Sequence, residues 1–466
     1  MKKKMIMIVI AITLTMTGCD QTADILTESS TETTTVATQT ADAKPKGTNG
    51  SLSSVSSNRN KDDGQNSGNV SGSSKGALDF SDINADDLLT ERDMLDSPNM
   101  SGATELTVTD GNDTVIDKEG TYILSGKAKN ATVIVDADDQ DKIQLVLNGL
   151  NITNSDSPCI YVKSADKVFI TTISKDNELK VSGTFSADGD TNTDAAIFSK
   201  DDLTLNGTGS LTVSSSDNGI TSKDSLKITG GSLKIESEGN ALEAHDAVII
   251  ASGKLEITEC NDGIHAEDKD DDTEGFVYIS GGSISINAKD DAIHATTIVK
   301  IDGGELVLAG SEGIEGADIQ INDGDIDINA SDDGINAAHK SSALSPLFEL
   351  NGGNVTIAMG AGDTDGVDSN GDIRINGGKI SITGQSTFDC DGNADYNGGI
   401  IIENGKETNT ISNQMMGGHG GMGSKGMRNE STMNGKQRGM RKFDGTQPQD
   451  EKMKENGKRQ ANLNEK

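Results

Sequence analysis

The sequence predicts an all-β fold, a solenoid of the β-helix type between disordered flanks, and three observations carry that prediction. First, an aliphatic residue recurs after a cluster of acids, at Ile197, Ile220, Leu242, Ile264, Ile293, Ile314, Ile335 and Val367. The markers lie about 21–23 residues apart where nothing is inserted. Second, a turn pair recurs between them, at Gly230-Gly231, Ser252-Gly253, Gly281-Gly282, Gly303-Gly304, Asp323-Gly324, Gly352-Gly353, Gly377-Gly378 and Gly398-Gly399. Third, the stretches around these turns, such as LKIT-GG-SLKIE and VYIS-GG-SISIN, alternate aliphatic and polar residues with a period of two. A fixed repeat of short strands implies units that each need a neighbour to cover an apolar face. The marker aliphatics are expected to stack as an internal ladder. Glycine, Asn and Asp are expected in left-handed turn conformations, and the Gly or Ala before each marker at the bend into a strand.

The chain opens on a processing signal. Lys2, Lys3 and Lys4 precede an apolar run from Met5 to Met16, too short to span a bilayer. Met16-Thr17-Gly18-Cys19 follows, a lipobox-like sequence, so residues 1–19 are expected to be a lipoprotein signal peptide with Cys19 as the lipidated residue. An ordinary secretory signal with Cys19 incidental is the alternative; both imply export, and lipidation places the protein at the cell surface on a lipid anchor. Residues 20–77 are Ser, Thr, Asn and Gly with few aliphatics, a linker unable to bury a core. Residues 78–103 form a short acidic segment or cap with some helical character. Strand patterns begin with ELTVTD and continue to residue 403. Residues 404–466 are basic and rich in Gly, Met and Lys, a low-complexity tail expected to be disordered. Its methionines and His419 suit soft copper ligation, and a self-associating tail is the plainer reading. Cys159, Cys260 and Cys390 are odd in number and scattered, so buried free thiols are expected and a disulfide framework is not.

Composition limits the function classes. The 466 residues carry a net charge of −35, with 55 Gly, 5 Pro and no Trp. Such acidity excludes nucleic acid and an anionic membrane surface as direct partners and favours cations, or ligands bridged by cations. Missing Trp removes the usual stacking platform for sugar rings.

Strand stacking at about 4.8 Å would align equivalent residues in columns. The position before each bend reads Asn218, Asn240, Asp262, Asp291, Glu312, Asp333 and Asp365. The position after each marker reads Thr221, Glu243, His265, His294, Glu315, Asn336 and Asp368. Carboxylates at that spacing repel by roughly 1 kcal/mol per pair in water. Either a cation neutralises them or turn chemistry selects Asp and Asn. Three loops place an oxygen ligand at every second residue, as a chain wrapping calcium would. They are Asp188, Asp190, Asn192 and Asp194; Asp268, Asp270, Asp272 and Glu274; and Asp389, Asp391, Asn393 and Asp395. A fourth, weaker set is Asp365, Asp368, Asn370 and Asp372. None follows the EF-hand or β-roll pattern. His265 and His294 on adjacent coils offer donors for a borderline metal, and paired polar surface residues are the alternative.

AAIFSKDDLTLNGTGSLTV, GITSKDSLKITGGSL, EDKDDDTEGFVYISGGSISI and GVDSNGDIRINGGKISI resemble a bacterial family of carbohydrate-binding, pectate-lyase-like surface proteins known from clostridia. The resemblance covers about Thr104 to Ile402. It implies a right-handed parallel β-helix with bound calcium that binds acidic plant polysaccharide, polygalacturonate and cellulose being ligands known in the family. The first function expected is a non-catalytic surface module in which calcium bridges protein and polysaccharide carboxylates. The Asp268–Gly275 insertion matches the family's acidic insertion by residue type. Two other functions stay open. A calcium-assisted lyase needs a base near the abstracted proton, for which Arg374 is the one arginine within residues 104–403. A wall spacer would need no sugar specificity.

Overall fold

Period-two alternation, frequent Ile and Val and a glycine every few residues give many short strands and almost nothing else. A computed structural model describes residues 83–413 except Lys175 and Asp363. Its regular structure is one helix of four residues, Ala85–Leu88, and 36 strands in a 24-stranded and a 12-stranded sheet. The fold is all-β, and nearly every pairing is parallel.

Three strand series alternate along the chain. The first runs through Lys167–Thr172, Asp202–Gly207, Ser225–Ile228, Ala247–Ile250, Phe276–Ile279 and Ile298–Ile301 to Ala394–Tyr396. The second runs through Asn177–Val181, Ser210–Ser215, Ser232–Ser237, Lys254–Glu259 and Ser283–Asn287 to Ile400–Glu403. Both belong to the larger sheet because the long strand Lys142–Asn154 pairs with the first members of each. The third series is the 12-stranded sheet. It includes Ala195–Ser199, Asn218–Ser222, Leu242–Ala244, Ile264–Ala266, Asp291–Ala295, Glu312–Gly316, Ile335–Ala337, Asp365–Ser369 and Ser386–Cys390.

The marker aliphatics form the predicted ladder. Ile197 pairs with Ile220, Ile220 with Leu242, Leu242 with Ile264, Ile264 with Ile293, Ile293 with Ile314, Ile314 with Ile335 and Ile335 with Val367. Phe388 extends it beyond Val367. All are fully buried in one apolar cluster fed by all three series. Each such side chain contributes about 1.5–3 kcal/mol by leaving water.

The second residue of every predicted turn pair has positive φ, from 66° at Gly378 to 116° at Gly324, which only glycine adopts without strain. The expectation holds for two asparagines and fails for Asp. Among the described residues only Asn130 and Asn404 have positive φ outside glycine. Asp291, Glu312 and Asp365 open strands instead, and where a Gly follows the acid it is required for space. A Cβ on Gly313 would lie 2.4 Å from both the Gly334 carbonyl and Ile328 Cγ2.

The acidic segment 83–103 lies against the outer side of the first series. Ile83 packs with Ala247, Ile249, Tyr278 and Ile298. Lys300 donates to the Ile83 carbonyl and Lys227 to the Leu88 carbonyl, each at 2.6 Å. Further along, the Arg92 guanidinium stacks over Phe169. The Asp93 carboxylate, fully buried, meets Lys167 Nζ at 2.7 Å and accepts from Thr204 at 2.6 Å. Burial would raise its pKa, but the Lys167 charge and these hydrogen bonds hold it at about 2. Cys159, Cys260 and Cys390 are buried free thiols, as expected; burial pushes the Cys159 thiol up to about 12. No helix among the described residues is long and apolar enough to cross a membrane.

Candidate functional site

Alternation in the third series turns one side chain inward to the ladder and the next outward. The outward column starts aromatic and becomes acidic: Tyr161, Phe198, Thr221, Glu243, His265, His294, Glu315, Asn336, Asp368 and Asp389 are neighbours in register. The second column, before the bends, is tied by backbone hydrogen bonds. Asn218 Oδ1 accepts from the Asn240 N–H at 2.8 Å, Asn240 Oδ1 from Asp262 at 3.2 Å, Asp262 Oδ1 from Asp291 at 3.1 Å and Asp333 Oδ1 from Asp365 at 3.0 Å. Selection of Asn and Asp at these four positions has a structural cause, a side-chain oxygen that spans to the next strand. The remaining oxygens make the stripe.

At one end, Glu243 accepts from Asn218 at 2.9 Å and Asn240 at 3.2 Å and pairs with Lys223 at 3.4 Å. Asp194 beside it is pushed up to about 6 by burial and by the Glu243 charge. Asp194 Oδ1 and the Thr221 hydroxyl are shielded from solvent without a hydrogen-bond partner.

In the middle, the His265 and His294 rings stack at 4.6 Å. Each faces the Asp three residues before it, at 2.8 Å for Asp262 and 3.1 Å for Asp291. His294 Nδ1 also lies 2.8 Å from Glu315, whose other oxygen meets Lys340 at 2.7 Å. Burial would lower the His294 pKa, but the two carboxylates hold it well above the usual imidazole value. Glu315, with two cationic partners, stays ionised. Asp291, buried and facing Glu315 and Asp262, is pushed up. Glu312 is raised to about 8 by burial and by Glu315 and Asp291.

At the other end, burial and the Asp365, Asp389 and Asp391 charges raise Asp368 to about 6. Burial, with Asp368 and Asp332 near, raises Asp333 to about 7. Asp389 is raised by burial and by Asp365. Asp365 Oδ1 and the buried Ser386 hydroxyl, which are register neighbours, lack partners. This donor set is entirely oxygen, which fits a hard cation such as calcium better than a soft one.

The sequence-predicted loops divide. Asp188 is exposed and held by Lys163 at 2.7 Å and Tyr161 at 3.2 Å, and Asp190 is exposed. Asn192 donates to Asp194 at 2.6 Å. In the insertion, Asp268 Oδ1 accepts from the Asp270 N–H and Asp272 Oδ2 from the Ser342 N–H; Asp270 is exposed and Glu274 half-buried. Asp365, Asp368 and Asp389 meet, joining two predicted sets. Asp372 Oδ1 accepts from the Asn393 N–H at 2.8 Å and Oδ2 from Arg374 at 3.2 Å. Asn370 is half-buried, and Asp391 and Asp395 are exposed. Cys19 lies outside the described residues.

Among the described residues, one set of three His, Cys, Asp or Glu side chains brings its donor atoms within 4.8 Å, namely Asp291, His294 and Glu315. The sequence reading saw these residues in columns without joining them. The signal for the aspartate–histidine pairs was the repeated Asp-x-Ile-His at 262–265 and 291–294.

Comparison with known proteins finds relatives of the chain. A family described as carbohydrate-binding domain-containing protein matches residues 110–362 and again 306–422. A protein so described from Acetivibrio thermocellus is 36% identical over 165 residues, 34% of this chain and 56% of that protein. The chain thus spans about half the length of that relative. A solved structure of a polysaccharide lyase-like protein from C. thermocellum, a gadolinium derivative, is 27% identical at a TM-score of 0.40, over 56% of this chain and 98% of that one.

Proposed function

The chain belongs to the family of carbohydrate-binding domain-containing proteins, and from that premise we propose that it is an exported, lipid-anchored surface protein that holds acidic plant cell-wall polysaccharide through calcium without cleaving it. Polygalacturonate is the first ligand on this reading and cellulose the second. The three strand series are read as the faces of a right-handed parallel β-helix with coils of about 21–23 residues. The lipid on Cys19 supplies the anchor.

The observation that carries the reading is the acidic stripe, where carboxylates crowd at strand spacing with pKa values raised as high as about 8. A chain of net charge −35 repels an anionic polysaccharide unless cations stand between them. The end formed by Asp333, Asp365, Asp368, Ser386 and Asp389 is where calcium is proposed to bind, since it offers oxygens without partners. Absence of cleavage is supported by Arg374, whose guanidinium is taken up by Asp372 at 3.2 Å and Glu349 at 3.8 Å and so is poorly placed as a free base.

Co-sedimentation of the full chain with de-esterified pectin tests the reading. Retention in calcium, loss in chelator and no unsaturated uronide in the supernatant are expected. Equal retention in chelator sinks calcium bridging, and accumulation of unsaturated product sinks the non-catalytic reading.

A further inference from the structure

We propose that Asp291, His294 and Glu315 form a second kind of metal site in the middle of the stripe, one for a zinc-class divalent ion rather than calcium. The separations are a few tenths of an ångström short of those in a ligand set. Ligands at 2.0–2.2 Å from a tetrahedral ion lie roughly 3.3–3.5 Å apart. His294 Nδ1 is 3.1 Å from Asp291 Oδ2 and 2.8 Å from Glu315 Oε2, and all three donors fall within 4.8 Å. A small opening of these contacts admits an ion in place of the proton now shared between them.

Donor chemistry sets the class. An imidazole nitrogen with two carboxylates suits zinc, nickel or cobalt, whereas calcium takes oxygen ligands and more of them. Burial favours an ion over water-screened pairing: Asp291 is 7%, His294 9% and Glu315 5% exposed. Support around the three is already in place. Lys340 fixes the second oxygen of Glu315 at 2.7 Å, and the stacked His265 ring limits rotation of the His294 ring. Glu312, in register with Asp291, lies beside the set and accepts from Asn336 at 3.1 Å. Asn336 Oδ1 is shielded and unpartnered, a neutral oxygen beside the set.

This site does not depend on the polysaccharide reading, and its test uses metal alone. Chelator-stripped full chain is titrated with cobalt(II), followed by visible d–d absorption, and with zinc by calorimetry, with calcium absent and then in hundredfold excess. The wild type is expected to bind an ion that His294→Ala no longer binds and that Asp291→Asn and Glu315→Gln hold at least tenfold more weakly. His245→Ala, near the Glu243 end of the stripe, is expected to bind as the wild type does. Any binding by His419 and the methionines of residues 404–466 is common to all variants and cancels in the comparison. The volume-conserving Asn and Gln variants keep the test valid if His294→Ala fails to fold. Identical titrations of wild type and these variants overturn the proposal and leave an ion-paired histidine only. Displacement of cobalt by calcium overturns the assignment to a zinc-class ion.

Discussion

Replacing Glu312 by Gln should stabilise the chelator-treated protein at pH 8 to 9, which is the reverse of what removing a partly buried polar group usually does. The Glu312 carboxyl is moved from 4.5 to about 8, first by burial and then by the charges of Glu315 and Asp291. A group whose folded pKa lies above its unfolded one favours folding while the pH is below the unfolded value. That advantage is lost as pH rises through the folded value. The window here is from about pH 4.5 to about pH 8. At 1.36 kcal/mol per unit the full displacement corresponds to roughly 5 kcal/mol. Glu312 is only half-buried, so screening reduces this to about 2–3 kcal/mol. Gln keeps the volume and still accepts from Asn336. Urea denaturation of wild type and Glu312→Gln at pH 5, 7 and 9 in chelator reads the difference. The wild type should lose stability across that range and the variant should lose less, with the gap widest at pH 9. A variant less stable than wild type at pH 9, or two parallel pH profiles, would refute the claim that crowded carboxylates strain this face.

Three further outcomes follow from named contacts. Asp93→Ala leaves Lys167 buried without its partner and should cost about 3–5 kcal/mol, read by denaturant midpoint, with faster proteolysis of residues 83–103. Asp365→Asn with Asp389→Asn should weaken retention on de-esterified pectin at fixed calcium more than Asp270→Asn with Asp272→Asn, because Asp365 carries an unpartnered oxygen and Asp389 lies beside it, whereas Asp272 is bonded to the Ser342 N–H and Asp270 is exposed; equal losses would return the site to the insertion. Cys19→Ala should move the protein from the membrane fraction to the soluble one, and a variant that stays membrane-bound would remove the lipid anchor.

The ladder was legible because an internal aliphatic has one job, to match the residue above and below it, and Ile197 to Val367 announce that by spacing alone. The turn glycines were legible for the same reason: a positive φ needs a particular residue. The acids were not, since Asp serves backbone capping, ion pairing and metal binding alike. Asp262 illustrates this: one oxygen caps the Asp291 N–H and the other holds His265. Alternation at every second residue suggested loops that wrap an ion, but at Asp389 the alternation belongs to a strand, which aims side chains along the sheet rather than around a point. The path of residues 83–103 was hidden as well. Its partners, among them Lys167, Thr204, Lys227 and Lys300, sit at least seventy residues away and look like ordinary strand polars.

The outer surfaces of the three series differ in a way that selects one of them. The first series spends Lys227, Lys300 and Thr204 on the segment laid across it. The second alternates exposed and buried residues and settles its charges in solvated pairs such as Lys234–Glu256 at 2.6 Å. A polar column can also be built without strain, as the amides of Asn322, Asn351, Asn376 and Asn397 demonstrate. Each donates to the amide oxygen before it at 2.8 Å, with Asn322 reaching Asp302 at 2.6 Å. The third series repeats that geometry with carboxylates and leaves the account open. Protons are held on Glu312 and Asp333 near neutral pH, and oxygens of Asp194 and Asp365 stay shielded without partners. Turn preference would be satisfied by Asn at every one of these positions, at lower cost. Retaining acid where amide would fold better is what the proposed cation-binding role of this face would require.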